Sequence, residues 1–303
     1  MLEDDFVQAA FDDGFEDRLI SEASEAYVVN DKARRRANLL DGKTWTKYSI
    51  SIWSDIRKMP EEIQLRHPAM FPLALATRLI EIFTNSDDRV VLDPFVGIGT
   101  TVVAAKRLGK HGIGIELNPE FADTARYRGE QKGIFDVPGG QATIYTDDAA
   151  NLLEYMGEGS VDLVITSPPY WDILTEKRTA DYKEIRNYGD YDRDLGRIAS
   201  YEEFLRELKQ IFGKVYQVLR NGAYCCVIVM DIRKKGHFFP FHSDVARFMI
   251  ELGFVYDDLI IWDRRHEYNN MRPLGYPYVF RVNKAHEFIL IFQKPWGAQT
   301  NHR

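Results

Sequence analysis

The sequence predicts an α/β fold with a mostly parallel sheet of seven strands, helices on both faces and an antiparallel last strand. From residue 67 onward, short β-branched apolar runs alternate with amphipathic stretches of helical period, which is typical of parallel α/β sheets. The last two runs are joined by residues 263–283, which lack a helical period, so these two strands are expected to pair antiparallel. With 45% hydrophobic residues among 303, the chain can fill such a core.

The predicted elements follow in chain order. Strands are expected at 89–93, 111–116, 142–146, 161–166, 223–230, 255–262 and 287–293. Helices are expected at 71–83, 100–108, 119–132, 201–219 and 241–252, with Asn221 and Gly222 closing the fourth of them. Residues 1–66 are predicted as an N-terminal helical extension, and residues 67–295 as the catalytic domain.

Composition limits the classes of partner. The net charge is −7 and the pI is about 5.6, so a nucleic-acid surface would have to be a local basic patch. The two cysteines, Cys225 and Cys226, are adjacent in an apolar run and are expected to be buried and reduced. The sequence shows no metal-ligand spacing, secretion signal or membrane-length apolar run, so a cytoplasmic protein that needs no metal or membrane is expected.

A glycine-containing turn follows the first strand, where residues 93–101 read Asp-Pro-Phe-Val-Gly-Ile-Gly-Thr-Thr. Val102 occupies the place of the third glycine of a dinucleotide site. Glu116 ends the second strand and Asp147 and Asp148 follow the third, where carboxylates can accept hydrogen bonds from ribose hydroxyls and an adenine amino group. No phosphate-binding cluster accompanies them, which favours a nucleoside without phosphate; the alternative is that these acids only cap helices.

A second motif, Thr-Ser-Pro-Pro-Tyr-Trp at residues 166–171, follows the fourth strand. Two prolines stiffen the loop and keep Ser167 extended. The Ser167 hydroxyl and the Pro168 carbonyl could accept both hydrogens of an exocyclic amino group, and Tyr170 offers a face for stacking a base. The catalytic residues are therefore predicted to be Ser167, Pro168, Pro169 and Tyr170. A proline-rich turn without function is the competing interpretation.

Together the two motifs resemble those of the amino-group DNA methyltransferases, which modify cytosine N4 or adenine N6. The resemblance covers about residues 65–295 and implies a Rossmann-like methyltransferase fold with S-adenosyl-L-methionine as cofactor. The segment 67–72, His-Pro-Ala-Met-Phe-Pro, resembles the family segment over the methionine end of the donor. The implied cofactor-binding residues are His67, Phe71, Asp93, Pro94, Phe95, Gly97, Gly99, Thr100, Thr101, Glu116, Asp147 and Asp148.

The motif order, cofactor before catalysis, resembles the gamma arrangement of this family. Ser-Pro-Pro-Tyr is similar to the loop of N4-cytosine enzymes, whereas N6-adenine enzymes usually carry Asp or Asn in place of Ser167. Cytosine N4 is the favoured target and adenine N6 the alternative. A double-stranded DNA substrate must then present its base flipped out of the helix.

Two polar, aromatic segments are candidate recognition loops, at about 172–200 and 263–284. With the basic run after the fifth strand, they give the predicted substrate-binding residues Trp171, Arg233, Lys234, Arg264, Arg265, Tyr268, Asn269 and Arg272. Only about ten residues follow the last strand, so sequence recognition is assigned to loops, to residues 1–66, or to a homodimer or specificity partner.

Three other readings compete. Guanine methylation in RNA and glutamine methylation in protein use related loops, but both usually have Asp or Asn where this chain has Ser167. A catalytically silent subunit that binds the cofactor and DNA is the alternative outside enzymology. Carbon-5 methylation of cytosine is disfavoured because it needs a nucleophilic cysteine on a Pro-Cys loop, and both cysteines lie within a strand.

Overall fold

An eight-stranded mixed sheet organises the part of the chain that this computed structural model describes, residues 37–65, 70–133, 136–171, 194–267, 277–278 and 281–297. The strands in chain order are β1 (Ile52–Trp53), β2 (Val90–Asp93), β3 (His111–Glu116), β4 (Gln141–Thr146), β5 (Val161–Thr166), β6 (Leu219–Val229), β7 (Ile232–Lys234), β8 (His237–Phe239), β9 (Val255–Asp263) and β10 (His286–Gln293). Strands β7 and β8 form a separate hairpin, and the others are ordered β1-β9-β10-β6-β5-β2-β3-β4.

Helices cover both faces of this sheet. They are α1 (Gly42–Tyr48), α2 (Pro60–Gln64), α3 (Leu73–Phe83), α4 (Thr100–Arg107), α5 (Pro119–Glu130), α6 (Leu152–Tyr155), α7 (Tyr201–Val218) and α8 (Phe241–Glu251). One hydrophobic cluster joins the sheet to α7 and α8, and a second joins it to α3 and α4. Neighbouring strand residues point to opposite faces. Cys225 accordingly lies in the first cluster and Cys226 in the second, both buried and unoxidised.

Strand directions confirm a mostly parallel sheet whose last strand in the sequence, β10, is antiparallel. The pairs β4–β3, β3–β2, β2–β5 and β5–β6 are parallel, whereas β10 runs antiparallel to both β6 and β9. Because β2 and β5 are adjacent and the chain proceeds to opposite sides from them, the sheet has its topological switch point between their carboxyl ends. The first residues of β10 reach that same edge because this strand runs the other way.

The predicted count of seven strands is too low by one. Ile52 and Trp53 form β1, which pairs parallel with β9. Trp53 and Ile56 are each 1% exposed and lie in the cluster with α3 and α4. The predicted boundary between residues 66 and 67 therefore does not separate these residues from the catalytic domain. A two-residue strand has too short a pattern to be recognised in sequence.

The predicted end of α7 also needs correction. The helix ends at Val218, and Leu219 is already extended, so Asn221 and Gly222 lie inside β6 rather than at a helix cap. Gly222 has φ +77° and donates its N–H to the carbonyl of Lys294 at 2.8 Å. The pairing of β5 with β6 shifts register here, so the glycine forms an irregularity in the strand. Among the described helices, none is both long and apolar enough to span a membrane.

Candidate active site

A cleft of about 930 Å³ opens at the switch point between β2 and β5. The turn after β2, the end of β3 and the loop after β5 all contribute to its wall. The lining residues from the two predicted motifs and the predicted cofactor set are Phe71, Pro94, Phe95, Val96, Gly97, Ile98, Thr100, Glu116, Asp148, Ser167, Pro168, Pro169 and Tyr170.

The turn after β2 brings its backbone close to the cleft. Gly97 and Gly99 have φ values of +54° and +89°, a region that favours glycine. A Cβ on Gly99 would also stand 3.0 Å from the Cβ of Ala125 in α5. The turn needs its second glycine both for this conformation and for the close approach of α5. Gly99 itself does not line the cleft.

Glu116, at the end of β3, presents a largely buried carboxylate to the cleft. Its oxygens accept the backbone N–H groups of Gly97 at 2.8 Å and Asn118 at 2.9 Å. Burial raises the pKa of this carboxyl to about 7, although the two N–H donors oppose the shift. Each oxygen keeps a lone pair beyond its backbone bond. This carboxylate can therefore accept hydrogen bonds from the two hydroxyls of a ribose.

Asp93 is 1% exposed and lies beneath the turn, away from the cleft lining. Its carboxylate accepts from the hydroxyls of Thr101 and Thr166, each at 2.7 Å, and from the N–H of Phe95 at 3.1 Å. Burial raises its pKa to about 6. Asp93 thus ties the start of α4 to the end of β5. Neither Asp93 nor Thr101, both predicted as cofactor-binding residues, is among the residues that line the cleft, and the two side chains are hydrogen-bonded to each other.

Ser167 stands at the point where β5 ends, directly after the braced Thr166. Its Oγ lies 3.4 Å from the phenol oxygen of Tyr170, which in turn lies 3.3 Å from Oε2 of Glu287. The Tyr170 ring is partly buried and packs edge-on against Phe241, 6.2 Å between centroids. The pKa of Tyr170 is raised well above its usual value, chiefly by burial, so the phenol stays protonated.

Trp171, predicted as a substrate-binding residue, is buried in the structure and does not line the cleft. Its ring is 7% exposed and packs against Tyr201 and Phe239, with centroids 5.3 and 5.2 Å away. Its indole N–H donates to the carbonyl of Ile198 at 2.7 Å. The sequence predicts Trp171 as a substrate-binding residue because it directly follows the Ser-Pro-Pro-Tyr motif. Here its apolar area is used to anchor the loop in the core.

The two acids after β4 differ in position. Asp148 lines the cleft and accepts the N–H of Ala150, capping a short 3₁₀ turn at residues 149–151. Asp147 is not among the lining residues and accepts from Asn151 at 3.0 Å and Tyr155 at 2.6 Å. The structure thus gives Asp147 a local structural role, and Asp148 is the one of the two acids that lines the cleft.

Two acidic residues at this edge were not singled out in the sequence. Asp194 lines the cleft, caps a 3₁₀ turn through Gly196, and has its pKa raised by burial. Glu287, 7% exposed, contacts Tyr170 from the start of β10. An antiparallel last strand should bring its first residues to the ligand edge, and that signal could have identified Glu287.

The predicted basic contacts divide into two groups. Arg264 is 14% exposed and pairs with Glu267 and Glu287, while Arg265 holds Asp263 at 2.6 Å. Arg264 is therefore committed to neighbouring carboxylates rather than presented to phosphate. The Arg265 side chain remains 80% exposed.

Arg233 and Lys234 lie on the β7–β8 hairpin, which follows β6. Its two-residue turn, Lys235 and Gly236, has φ values of +47° and +86°, as in type I′ hairpins. Lys234 Nζ lies 4.0 Å from the centre of the Trp171 ring, so the hairpin packs beside the catalytic loop. The ring of Phe238, which is 42% exposed, has Arg233 Cζ 5.4 Å and Lys284 Nζ 4.7 Å from its centre.

Four predicted site residues lie outside the described residues: His67, Tyr268, Asn269 and Arg272. The same holds for residues 172–193 of the first predicted recognition loop and for much of the second.

The acidic lining of the cleft limits the charge of the ligand that it can bind. Glu116, Asp148 and Asp194 line it, and none of the described lining residues is a lysine or arginine. Such a wall disfavours phosphate and favours a ligand with a positive charge. A group of metal-binding side chains is also absent from the described residues. A sulfonium nucleoside such as S-adenosylmethionine fits both the charge and the hydrogen-bonding pattern of Glu116.

Comparison with known proteins agrees with this class of site. The family model N6_N4_Mtase, described as DNA methylase, matches residues 14–126 and 161–301. The chain therefore belongs to the DNA methylase family of amino-group methyltransferases. Membership confirms the expected family and its S-adenosylmethionine-dependent class.

Individual relatives are similar over parts of the chain. The Type II methyltransferase M.MjaVI of Methanocaldococcus jannaschii is 26% identical over 160 residues, 51% of this chain and 72% of that protein. M.ScaI of Streptomyces caespitosus is 41% identical over 71 residues, 23% of each chain. M2.DpnII of Streptococcus pneumoniae is 41% identical over 83 residues, 27% of this chain and 31% of that protein. For the latter two, the match spans less than a third of the relative.

Two solved structures are also similar to parts of this chain. A putative DNA modification methylase of Thermus thermophilus, TTHA0409, complexed with S-adenosyl-L-methionine, is 30% identical, with a TM-score of 0.35 over 50% of this chain and 53% of that one. A SAM-dependent methyltransferase of Methanosarcina mazei is 16% identical, with a TM-score of 0.48 over 72% of this chain and 97% of that one.

Proposed function

We propose that this protein transfers a methyl group from S-adenosyl-L-methionine to the N4 amino group of cytosine in double-stranded DNA. The observation that carries the proposal is the position of Ser167. It lines the same cleft as Glu116 and the glycine turn, and Asp93 ties the two motifs together. Cofactor and target base can thus meet in one site.

Each side chain has a distinct task. When bound, the cofactor supplies an electrophilic methyl group. Glu116 fixes its ribose, and the acidic wall suits its positive charge. Ser167 accepts a hydrogen bond from the target amine, which turns the nitrogen lone pair out of conjugation with the ring. Positioning of this kind supplies much of the acceleration in a direct transfer.

The choice of cytosine rests on Ser167, because the loop resembles that of N4-cytosine enzymes. A neutral hydroxyl accepts one hydrogen and leaves the second to a backbone carbonyl. Adenine N6 is the second candidate, favoured by membership of a family that includes both amino-group chemistries. The flipped base would enter beside Tyr170, next to the β7–β8 hairpin, whose basic side chains can hold the phosphates.

Transfer of labelled methyl groups to mixed-sequence duplex DNA tests the proposal, followed by mass spectrometry of the nucleosides. We expect N4-methylcytosine, reduced about 10²- to 10⁴-fold by Ser167→Ala, because a positioned acceptor is lost. Ser167→Ala should bind the cofactor as the wild type does. N6-methyladenine would overturn the cytosine assignment, and transfer to RNA or protein alone would overturn the DNA assignment.

A further inference from the structure

A chain of polar contacts leads from Ser167 away from the cleft. Ser167 Oγ lies 3.4 Å from Tyr170 Oη, and Tyr170 Oη lies 3.3 Å from Glu287 Oε2. Both distances exceed those of a tight O–H···O bond. Catalytic hydrogen bonds are often long before substrate binds and shorten in the complex. We call the series Ser167–Tyr170–Glu287 the relay, and it is defined by the order of these contacts rather than by their present lengths.

Glu287 is fixed at the end of this chain. It is 7% exposed, and its Oε1 forms an ion pair with Arg264. Arg264 also pairs with Glu267 and lies 4.8 Å over the ring of Trp262. The carboxylate is therefore held with Oε2 towards Tyr170. Glu287 is thus a buried carboxylate that does not line the cleft itself.

The direction of each hydrogen bond follows from the chemistry of its ends. A carboxylate paired with arginine accepts and does not donate. The protonated Tyr170 phenol therefore donates to Glu287, which leaves its oxygen as an acceptor for the Ser167 hydroxyl. With its own hydrogen turned towards Tyr170, Ser167 directs lone pairs at the cleft.

We infer that Glu287 is a positioning residue that sets the polarity of Ser167, keeping it a hydrogen-bond acceptor for the target amine. This inference rests on the proposed function. Without Glu287, the Tyr170 hydroxyl could donate to Ser167 instead. The serine hydrogen would then point at the amine, which offers hydrogens of its own, and the two would repel.

Glu287→Gln tests the inference because it keeps the size of the side chain and can present an N–H to Tyr170. We expect kcat for DNA methylation to fall about tenfold, the loss that one hydrogen bond in the wrong direction produces. The dissociation constant of the cofactor should stay within about twofold. Glu287→Asp keeps the acceptor and should recover most of the activity.

Glu267→Gln is the matched control. It changes the other carboxylate that pairs with Arg264 but makes no contact with Tyr170, so kcat should change less than about twofold. A loss as large as that of Glu287→Gln would show that the ion-pair cluster, not the polarity of Ser167, is what matters. Thermal unfolding of both variants separates a folding defect from a catalytic one.

A double-mutant cycle with Tyr170→Phe gives the deciding readout. If Glu287 acts through Tyr170, adding Glu287→Gln to Tyr170→Phe should lower kcat by less than about twofold. A full tenfold loss in that background, or a Glu287→Gln protein as active as the wild type, would overturn the inference alone. A wild-type protein that methylates no DNA would overturn the proposed function and this inference with it.

Discussion

The two halves of the sheet build their parts of the site by different means. On the β2-β3-β4 side, backbone N–H groups hold the two carboxylates that line the cleft: Ala150 binds Asp148, and Gly97 and Asn118 bind Glu116, which lies 19 residues beyond Gly97. On the β5-β6-β10 side, side chains hold one another, as Tyr170 and Glu287 do across 117 residues. Backbone donors tolerate changes of neighbouring side chains, whereas a relay of side chains depends on every member. The difference teaches that cofactor binding and base activation should be separable by mutation.

Glu116→Gln should produce the largest effect on the cofactor side. The amide must direct its NH₂ at one of the two backbone donors or at the ribose, so we expect the cofactor dissociation constant to rise ~100-fold. Isothermal titration calorimetry measures it. Ser167→Ala serves as the reference, since it should leave this constant within about twofold. Equal weakening by both substitutions would break the proposed separation of the two halves.

The pH dependence of cofactor binding should be smaller and has a defined sign. The pKa of Glu116 is raised from 4.5 to about 7 by burial, and the ionised form is the better acceptor for ribose. Affinity should therefore increase about tenfold from pH 6 to pH 8. Stability of the free protein should change in the opposite sense. The contribution of Glu116 is fully present below its unfolded pKa near 4.5 and is lost as pH rises through about 7.

Glu116→Gln provides the control for both pH profiles, because Asp93, with a pKa raised to about 6, is present in either protein. The difference between the two profiles isolates Glu116. Calorimetry at several pH values and urea unfolding at the same values supply the measurements. A wild-type affinity that is flat between pH 6 and pH 8 would contradict a ribose contact by this carboxylate.

The smallest expected effect concerns the hairpin beside the base-activating half. Arg233→Gln and Lys235→Asn should each raise the DNA KM about threefold to tenfold and reduce its salt dependence by about one phosphate contact. Asparagine tolerates the positive φ of Lys235, so the turn is kept. Lys132→Ala is a matched control, because Lys132 is exposed just beyond α5, at the opposite edge of the sheet. Similar losses in the control would indicate a general charge effect.

The sequence predicted the cofactor half of the molecule better than the other half. Strand bounds from β2 to β5 matched to within a residue, because each strand is short, apolar and closed by an acid or a motif. Glycine spacing located the turn correctly, since the conformational need for Gly97 and Gly99 is local. The sequence could not show whether an acidic side chain at the end of a strand binds a ligand or stabilises the fold. Asp93 and Asp147 serve the fold, although their positions equally suited a ligand.

Errors elsewhere arose from contacts between distant segments. Trp171 turns into the core because α7 and the β7–β8 hairpin provide aromatic partners there, which nothing within the motif reveals. The sequence around Gly222 predicts a helix end, yet Gly222 lies within a strand, where it accepts from the Gln293 side chain and donates to the Lys294 carbonyl. The two residues of β1 pair with β9, some 200 residues later in the chain. A local pattern of two residues could not predict this strand.

The position of β10 at the end of the sheet's sequence affects the order in which the parts of the site form while the chain is being synthesised. Strands β2 to β5 can pair as soon as they leave the ribosome, since their partners are close in sequence. Glu287 is made 117 residues after Tyr170, a delay of about 6 to 24 s at ordinary rates of translation. A nascent chain would thus pass through a stage that has the cofactor turn but lacks the relay behind Ser167.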